Sequence, residues 1–82
     1  MAWFVYILSC SDNSLYTGIK WNLEKRLKEH NSGTYQSFTK SRRPVRLVYW
    51  ERLSGKTEAA KREKEIKGWT RMKKEQLIKS LH

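Results

Sequence analysis

The sequence predicts a single α/β (α+β) domain, a small and mainly antiparallel three-stranded sheet flanked by helices in the order β-β-α-β-α-α. Three observations carry this expectation. Two apolar runs, 3–8 and 45–50, have the length and the β-branched and aromatic content of buried strands, and a third β-rich segment, 15–19, follows the first across a short turn. Polar, Lys- and Glu-rich segments with helical spacing lie between and after these runs, bounded by Asn, Gly or Thr. No repeat or low-complexity tract and only one proline occur in the 82 residues, so one domain over 1–82 without a linker is expected.

Trp3-Phe4-Val5-Tyr6-Ile7-Leu8 is apolar on both faces and reads as a central strand. Residues 9–14 contain Asp12-Asn13, which is turn chemistry, and Leu15-Tyr16-Thr17-Gly18-Ile19 is the hairpin partner. Sequence leaves the register open, yet a tight turn brings Tyr6 and Tyr16 close on neighbouring strands. Asn22 is a good N-cap and Glu24 suits the first turn, so a helix runs to about His30 and ends in Asn31-Ser32-Gly33. Residues 34–43 form a polar, basic loop. Pro44 opens the third strand, Val45-Arg46-Leu47-Val48-Tyr49-Trp50. Ser54-Gly55-Lys56-Thr57 introduces a helix that reaches about Lys67 and stops at Gly68. Thr70 caps a last helix, which packs Leu77, Ile78 and Leu81.

Eighteen Lys and Arg against eight Asp and Glu give a net charge of +10, the footprint of a protein that meets a phosphate backbone. An anionic membrane is the competing attraction. The basic residues are spread from Lys20 onward, however, and no segment joins a broad apolar helical face to clustered charge. The lone Cys10 excludes an intramolecular disulfide and a cysteine-rich zinc site. The run 3–8 is too short to span a bilayer and lacks the marks of a signal peptide. A cytosolic or nucleoid-facing protein is expected, with no membrane and no obligate protein partner.

At 100° per residue, Leu23, Arg26, Leu27 and His30 share one face of the first helix. The leucines dock that face on the sheet and leave Arg26 and His30 at the core's edge, aimed at the hairpin. Arg suits bidentate phosphate contact. A surface Arg26 paired with Glu24 or Glu29, beside a partly buried His30, fits the same spacing. In the second helix Glu63 falls on one arc with Ala59, Ala60 and Ile66. A carboxylate in an apolar stripe is costly unless paired or metal-bound. An i,i+4 bridge to Lys67 contributes only about 0.2–0.5 kcal/mol, so a metal or a buried basic partner is the stronger expectation, and a hard oxygen donor suits Mg²⁺. The loop carries Lys40, Arg42 and Arg43 beside Tyr35 and Phe38, a mixture suited to phosphate contact and base stacking. Aromatics folded back on the core explain it equally well.

Taken in order, these residues resemble a GIY-YIG endonuclease domain, close to the short stand-alone bacterial members of that family. Phe4-Val5-Tyr6 corresponds to the first motif and Tyr16-Thr17-Gly18 to the second. The helix Asn22-Leu23-Glu24-Lys25-Arg26-Leu27-Lys28-Glu29-His30 carries the Asn-Leu-x-x-Arg-Leu-x-x-His pattern. The stretch 39–49 looks like the short members' loop and third strand, and Glu58-Ala59-Ala60-Lys61-Arg62-Glu63 looks like the segment with the metal-binding glutamate. The resemblance implies that Tyr6 and Tyr16 flank the scissile phosphate, one as general base. It implies that Arg26 stabilises developing charge, that His30 assists through hydrogen bonding, and that Glu63 holds a single Mg²⁺ or Mn²⁺. Lys20, Tyr35, Phe38, Lys40, Arg42 and Arg43 would then contact nucleic acid, DNA rather than RNA.

Three positions depart from the family pattern. Phe4 replaces the first glycine, Lys20 and Trp21 stand where small polar residues are common, and the late asparagine has no counterpart beyond Trp69. A non-catalytic nucleic-acid-binding module on the same fold is the alternative. A basic domain that docks on an acidic protein is a third reading. The nuclease reading requires Tyr6, Tyr16, Arg26, His30 and Glu63 to converge on one cleft.

Overall fold

A run that is apolar on both faces belongs in the middle of a sheet, and that is where it lies. The computed structural model describes residues 2–32 and 42–80. Its elements are β1 (Trp3–Ser9), β2 (Leu15–Lys20), α1 (Leu23–Ser32), β3 (Arg46–Leu53), α2 (Lys56–Lys67) and α3 (Arg71–Lys79). The strands lie in the order β2-β1-β3, with both pairings antiparallel. Among the described residues no helix is long and apolar enough to cross a membrane.

Pairing of Tyr6 with Gly18 and of Leu8 with Tyr16 settles the hairpin register. The turn is closed by Cys10 N–H donating to Ser14 O and Asn13 N–H to Cys10 O, both at 2.9 Å. Asn13 takes the positive φ of 68° that the turn requires, a conformation Asn tolerates well. β3 begins one residue later and ends three residues later than the apolar run suggests, because Glu51, Arg52 and Leu53 pair with Val5, Phe4 and Trp3. Charged residues at 51 and 52 mask a strand that the open edge of β1 completes. The register shifts at Ile7/Leu8, so Tyr49 and Leu47 face successive residues of β1. Val48 and Tyr49 consequently both reach the same core, as a bulge allows.

Two cores result. On one face Val5, Ile7 and Tyr49 pack against Ala59 and Ile66 of α2, with Leu77 and Ile78 of α3 at the margin. On the other, Tyr6, Leu8, Cys10 and Val45 meet Tyr16, Leu47 and the α1 residues Leu23 and Leu27. Burying a side chain such as Ile66 contributes about 1.5–3 kcal/mol. A polar network also locks α2 to β3. Arg62 Nε donates to Glu51 Oε1 at 2.7 Å, and Tyr49 Oη donates to the same carboxylate. Burial, and then Glu51, push the Tyr49 phenol up to about 12, so it remains a donor.

The helix boundaries follow their caps. Asn22 Oδ1 accepts from Lys25 N at 3.1 Å, and Thr70 Oγ1 accepts from Lys73 N at 3.3 Å. α1 runs on through Asn31 and Ser32 rather than ending near His30. Asn31 has a task there. Its Oδ1 accepts from Val45 N at 2.7 Å and its Nδ2 donates to Val45 O at 3.2 Å, fixing the end of α1 to the approach of β3. Asn31→Ala leaves both buried backbone groups of Val45 without that partner. It is expected to lower the unfolding free energy by about 1–3 kcal/mol, read from urea denaturation followed by circular dichroism.

Candidate active site

Tyr6 and Tyr16 occupy the sheet face under α1. Cross-strand partners share a face, and Tyr16 stands two positions from Gly18, which lies opposite Tyr6. The two rings are therefore diagonal neighbours, with centroids 6.3 Å apart. Gly18 makes this possible. A Cβ there would lie 2.5 Å from Tyr6 Oη, 2.7 Å from its Cζ and 3.1 Å from Tyr16 Cε2. Glycine is required by the close approach of two phenols, not by its backbone dihedrals.

α1 brings the other two groups. Leu23 and Leu27 seat the helix, and His30 follows nearly one turn later on the same face. The imidazole is fully buried rather than partly so, with its centroid 6.3 Å from Tyr6 and 5.1 Å from Tyr16. Tyr6 Oη and His30 Nε2 are 3.3 Å apart. Burial first, and the Arg26 charge second, hold the imidazole down at about 4 against an opposing effect of Glu29. His30 is neutral at pH 7, and in the Nδ1–H tautomer its Nε2 accepts the Tyr6 proton. The Arg26 side chain is only 14% exposed, with Nε 3.6 Å from Glu29 Oε1. The expected helix-surface pair with Glu29 thus exists, yet the guanidinium is set into the edge of the core.

Glu63 differs from its sequence expectation. Ala59 and Ile66 are buried but Ala60 is exposed, so the apolar arc is narrower and Glu63 lies at its margin with its side chain 23% exposed. Its carboxylate pairs with Lys67 at 3.5 Å, the i,i+4 bridge that the spacing allows. α2 packs on the sheet face opposite α1 and reaches the β2 edge. A cavity of about 250 Å³ there is lined by Leu15, Tyr16, Thr17, Lys67 and Lys74. Tyr16 and the partner of Glu63 therefore share one cleft. Tyr6, Tyr16, Arg26 and His30 form one group under α1, but of the five residues expected to converge only Tyr16 lines this cleft; Glu63 sits on α2, across the sheet, and reaches the cleft only through its partner Lys67.

Among the described residues no group of three or more His, Cys, Asp and Glu is placed to hold a metal. A single half-buried carboxylate fits an ion that keeps most of its waters and shares an oxygen of its substrate, as Mg²⁺ or Mn²⁺ does.

Of the expected nucleic-acid contacts, Lys20 lies on the tyrosine face of β2, Arg42 Nε donates to Asp12 Oδ2 at 3.0 Å, and Arg43 Nη1 donates to Asn31 O at 3.3 Å. Tyr35, Phe38 and Lys40 lie outside the described residues. Sequence reasoning missed Thr17, Lys67 and Lys74 as cleft residues. Period-two alternation sends Thr17 to the face opposite Tyr16, and only the packing of α2 and α3 brings the lysines to β2.

Residues 2–76 match the family of the GIY-YIG catalytic domain. The chain is 56% identical over 77 residues to a UPF0213 protein of Syntrophus aciditrophicus (strain SB), spanning 93% of this chain and 88% of that protein. It resembles the solution NMR structure of the UPF0213 protein BH0048 from Bacillus halodurans, with TM-score 0.62, 43% identity, and coverage of 96% of this chain and 84% of that one. The protein EF2693 from E. faecalis gives TM-score 0.67 and 40% identity, covering 100% of this chain and 88% of that one.

Gly18→Ala forces the Tyr6 phenol aside, with an expected loss of about 1–3 kcal/mol in stability, measurable by urea denaturation. The buried His30 sets a pH dependence whose sign is fixed. The unfolded imidazole binds its proton near 6.5 and the folded one near 4, so the unfolded state holds more protons between those values. The stability that neutral His30 contributes is complete above about pH 6.5 and is lost as pH falls towards 4. The difference in unfolding free energy between the native chain and His30→Gln should change across that window and stay flat above it.

Proposed function

The chain belongs to the GIY-YIG catalytic domain family, and from that premise we propose that it is a divalent-metal-dependent endonuclease hydrolysing phosphodiester bonds in DNA. The observation that carries this reading is the Tyr6–Tyr16–His30 cluster beside Arg26: a buried phenol and a neutral, buried imidazole pack against Tyr16, which lines the cleft at the β2 edge. The net charge of +10 brings a polyanion to that edge. We propose that the chain does this work in the cytoplasm.

Tyr16 is half-buried and lines the cleft, whereas Tyr6 is 2% exposed. Tyr16 is therefore the phenol that meets the attacking water and takes its proton as the water oxygen bonds to phosphorus and the bond to the leaving oxygen breaks. A phenol has an ordinary pKa near 10, so this role depends on nearby positive charge, which Arg26 supplies. The hydrogen bond between Tyr6 Oη and His30 Nε2 holds the imidazole and the sheet together while Tyr16 reacts. Arg26 would offset charge on the phosphate oxygens. Glu63 would hold the Mg²⁺ or Mn²⁺, whose Lewis acidity supports the leaving oxygen.

The second reading, a nucleic-acid-binding module without cleavage, is favoured by the pairings of Glu63 with Lys67 and Arg26 with Glu29. A cleavage panel of branched, single- and double-stranded DNA with Mg²⁺ or Mn²⁺ separates the two. Cleavage should appear on at least one substrate and vanish in Glu63→Ala. Arg26→Ala should lower the rate about 10²–10³-fold, the scale of losing one charge-stabilising donor. Silence across the panel with both metals, alongside binding that weakens steeply with salt, would select the binding module.

A further inference from the structure

Beyond the part of the tyrosine face that α1 covers lies a second group of side chains, and the proposed hydrolysis uses none of it. Cross-strand pairing sets the region in rows. Gly18, Tyr6 and Trp50 form one row, and Lys20, Phe4 and Arg52 form the next. Residues paired across antiparallel strands share a face, and the face repeats at every second residue. Phe4 and Trp50 therefore stand beside Tyr6, with their rings in edge contact at 5.9 Å.

Neither aromatic takes part in the two cores. Trp50 is 42% exposed, and Trp21, exposed to 41%, lies 5.7 Å from the Lys20 ammonium. Among the described residues neither Lys20 nor Arg52 is ion-paired. Exposed Trp50 thus adjoins half-buried Phe4, which stands between two cations that form no ion pair among the described residues.

We propose that Phe4 and Trp50 form a stacking platform for unpaired nucleobases, with Lys20 and Arg52 on the flanking phosphates. The occupant is the single-stranded segment of a nucleic acid, running across β1 towards Tyr6 and Tyr16. This rests on the nucleic-acid reading above and adds the form of the substrate: a strand that is unpaired beside the bond to be cut. A sheet-borne ring reaches the flat face of a base only after that base has left its stack, whereas a duplex offers groove edges and phosphates. The two rows contain no carboxylate, so the surface complements a ligand that alternates flat apolar groups with negative charge.

The test uses the full chain in EDTA, with no cleavage, and compares a short labelled oligo(dT) with a blunt duplex of the same length by fluorescence anisotropy. Trp50→Ala should weaken oligo(dT) binding about tenfold and leave duplex binding within about twofold, since stacking acts on unpaired bases. Trp50→Phe should restore most of the loss, and Arg52→Ala should reduce the salt slope by about one. Oligo(dT) should also quench the native indole fluorescence more strongly than duplex does, a readout that needs no variant. Equal losses on both ligands, no loss on either, or equal quenching would overturn the platform.

The outcome is separable from catalysis. A chain that cuts DNA but binds oligo(dT) independently of Trp50 keeps the nuclease reading and loses this one. A chain that binds oligo(dT) through Trp50 but never cuts keeps the platform and loses the nuclease.

Discussion

Tyr6 is held between a glycine and a histidine, and the rest of the site depends on that packing. On one side its hydroxyl end lies over Gly18, close enough that no Cβ fits between them. On the other its hydroxyl meets the buried imidazole of His30 at 3.3 Å. The ring sits on the central strand, the glycine on the second strand and the imidazole on the first helix. One side chain thus ties three elements together. Leu23 and Leu27 supply apolar burial for α1, while the phenol–imidazole contact ties the helix to the central strand.

Burial has an electrostatic consequence. A protein with net charge +10 does not simply collect cations at its candidate centre. His30 is kept neutral, first by burial and then by the guanidinium of Arg26 on the preceding turn. The division of labour follows from the side chains: Arg26 carries the permanent charge, and neutral His30 shares a hydrogen bond with Tyr6. A second polar lock acts across the sheet, where Arg62, Glu51 and Tyr49 join α2 to β3. Arg62 immediately precedes Glu63, so the lock that seats α2 also sets where that carboxylate emerges.

Legibility in the sequence followed the range of the interactions. The doubly apolar run 3–8, the cap residues Asn22 and Thr70, and Gly68 were readable because strand burial and capping are local patterns. Tyr6, Tyr16, Arg26 and His30 were readable as a group because a hairpin and the helix after it bring near neighbours in sequence together. The last three residues of β3 were hidden by Glu51 and Arg52, whose strand character comes from pairing with β1 and not from their own preference. Glu63 was placed inside an apolar stripe by helical spacing alone. Packing left Ala60 in solvent and moved that carboxylate to the margin, beside Lys67.

By itself the sequence determined the order of elements, the family pattern and the chemistry within reach: phenols, a guanidinium, an imidazole and one carboxylate on a strongly basic chain. These properties reside in residue identity and short-range periodicity. Only the tertiary structure decided the hairpin register, the full burial of His30, the meeting of Tyr16 with α2 at the β2 edge, and the placing of half-buried Phe4 and exposed Trp50 beside Tyr6. Each of these depends on which face of a strand is covered by which helix. That coverage follows from contacts between residues far apart in the chain, and no local pattern encodes it.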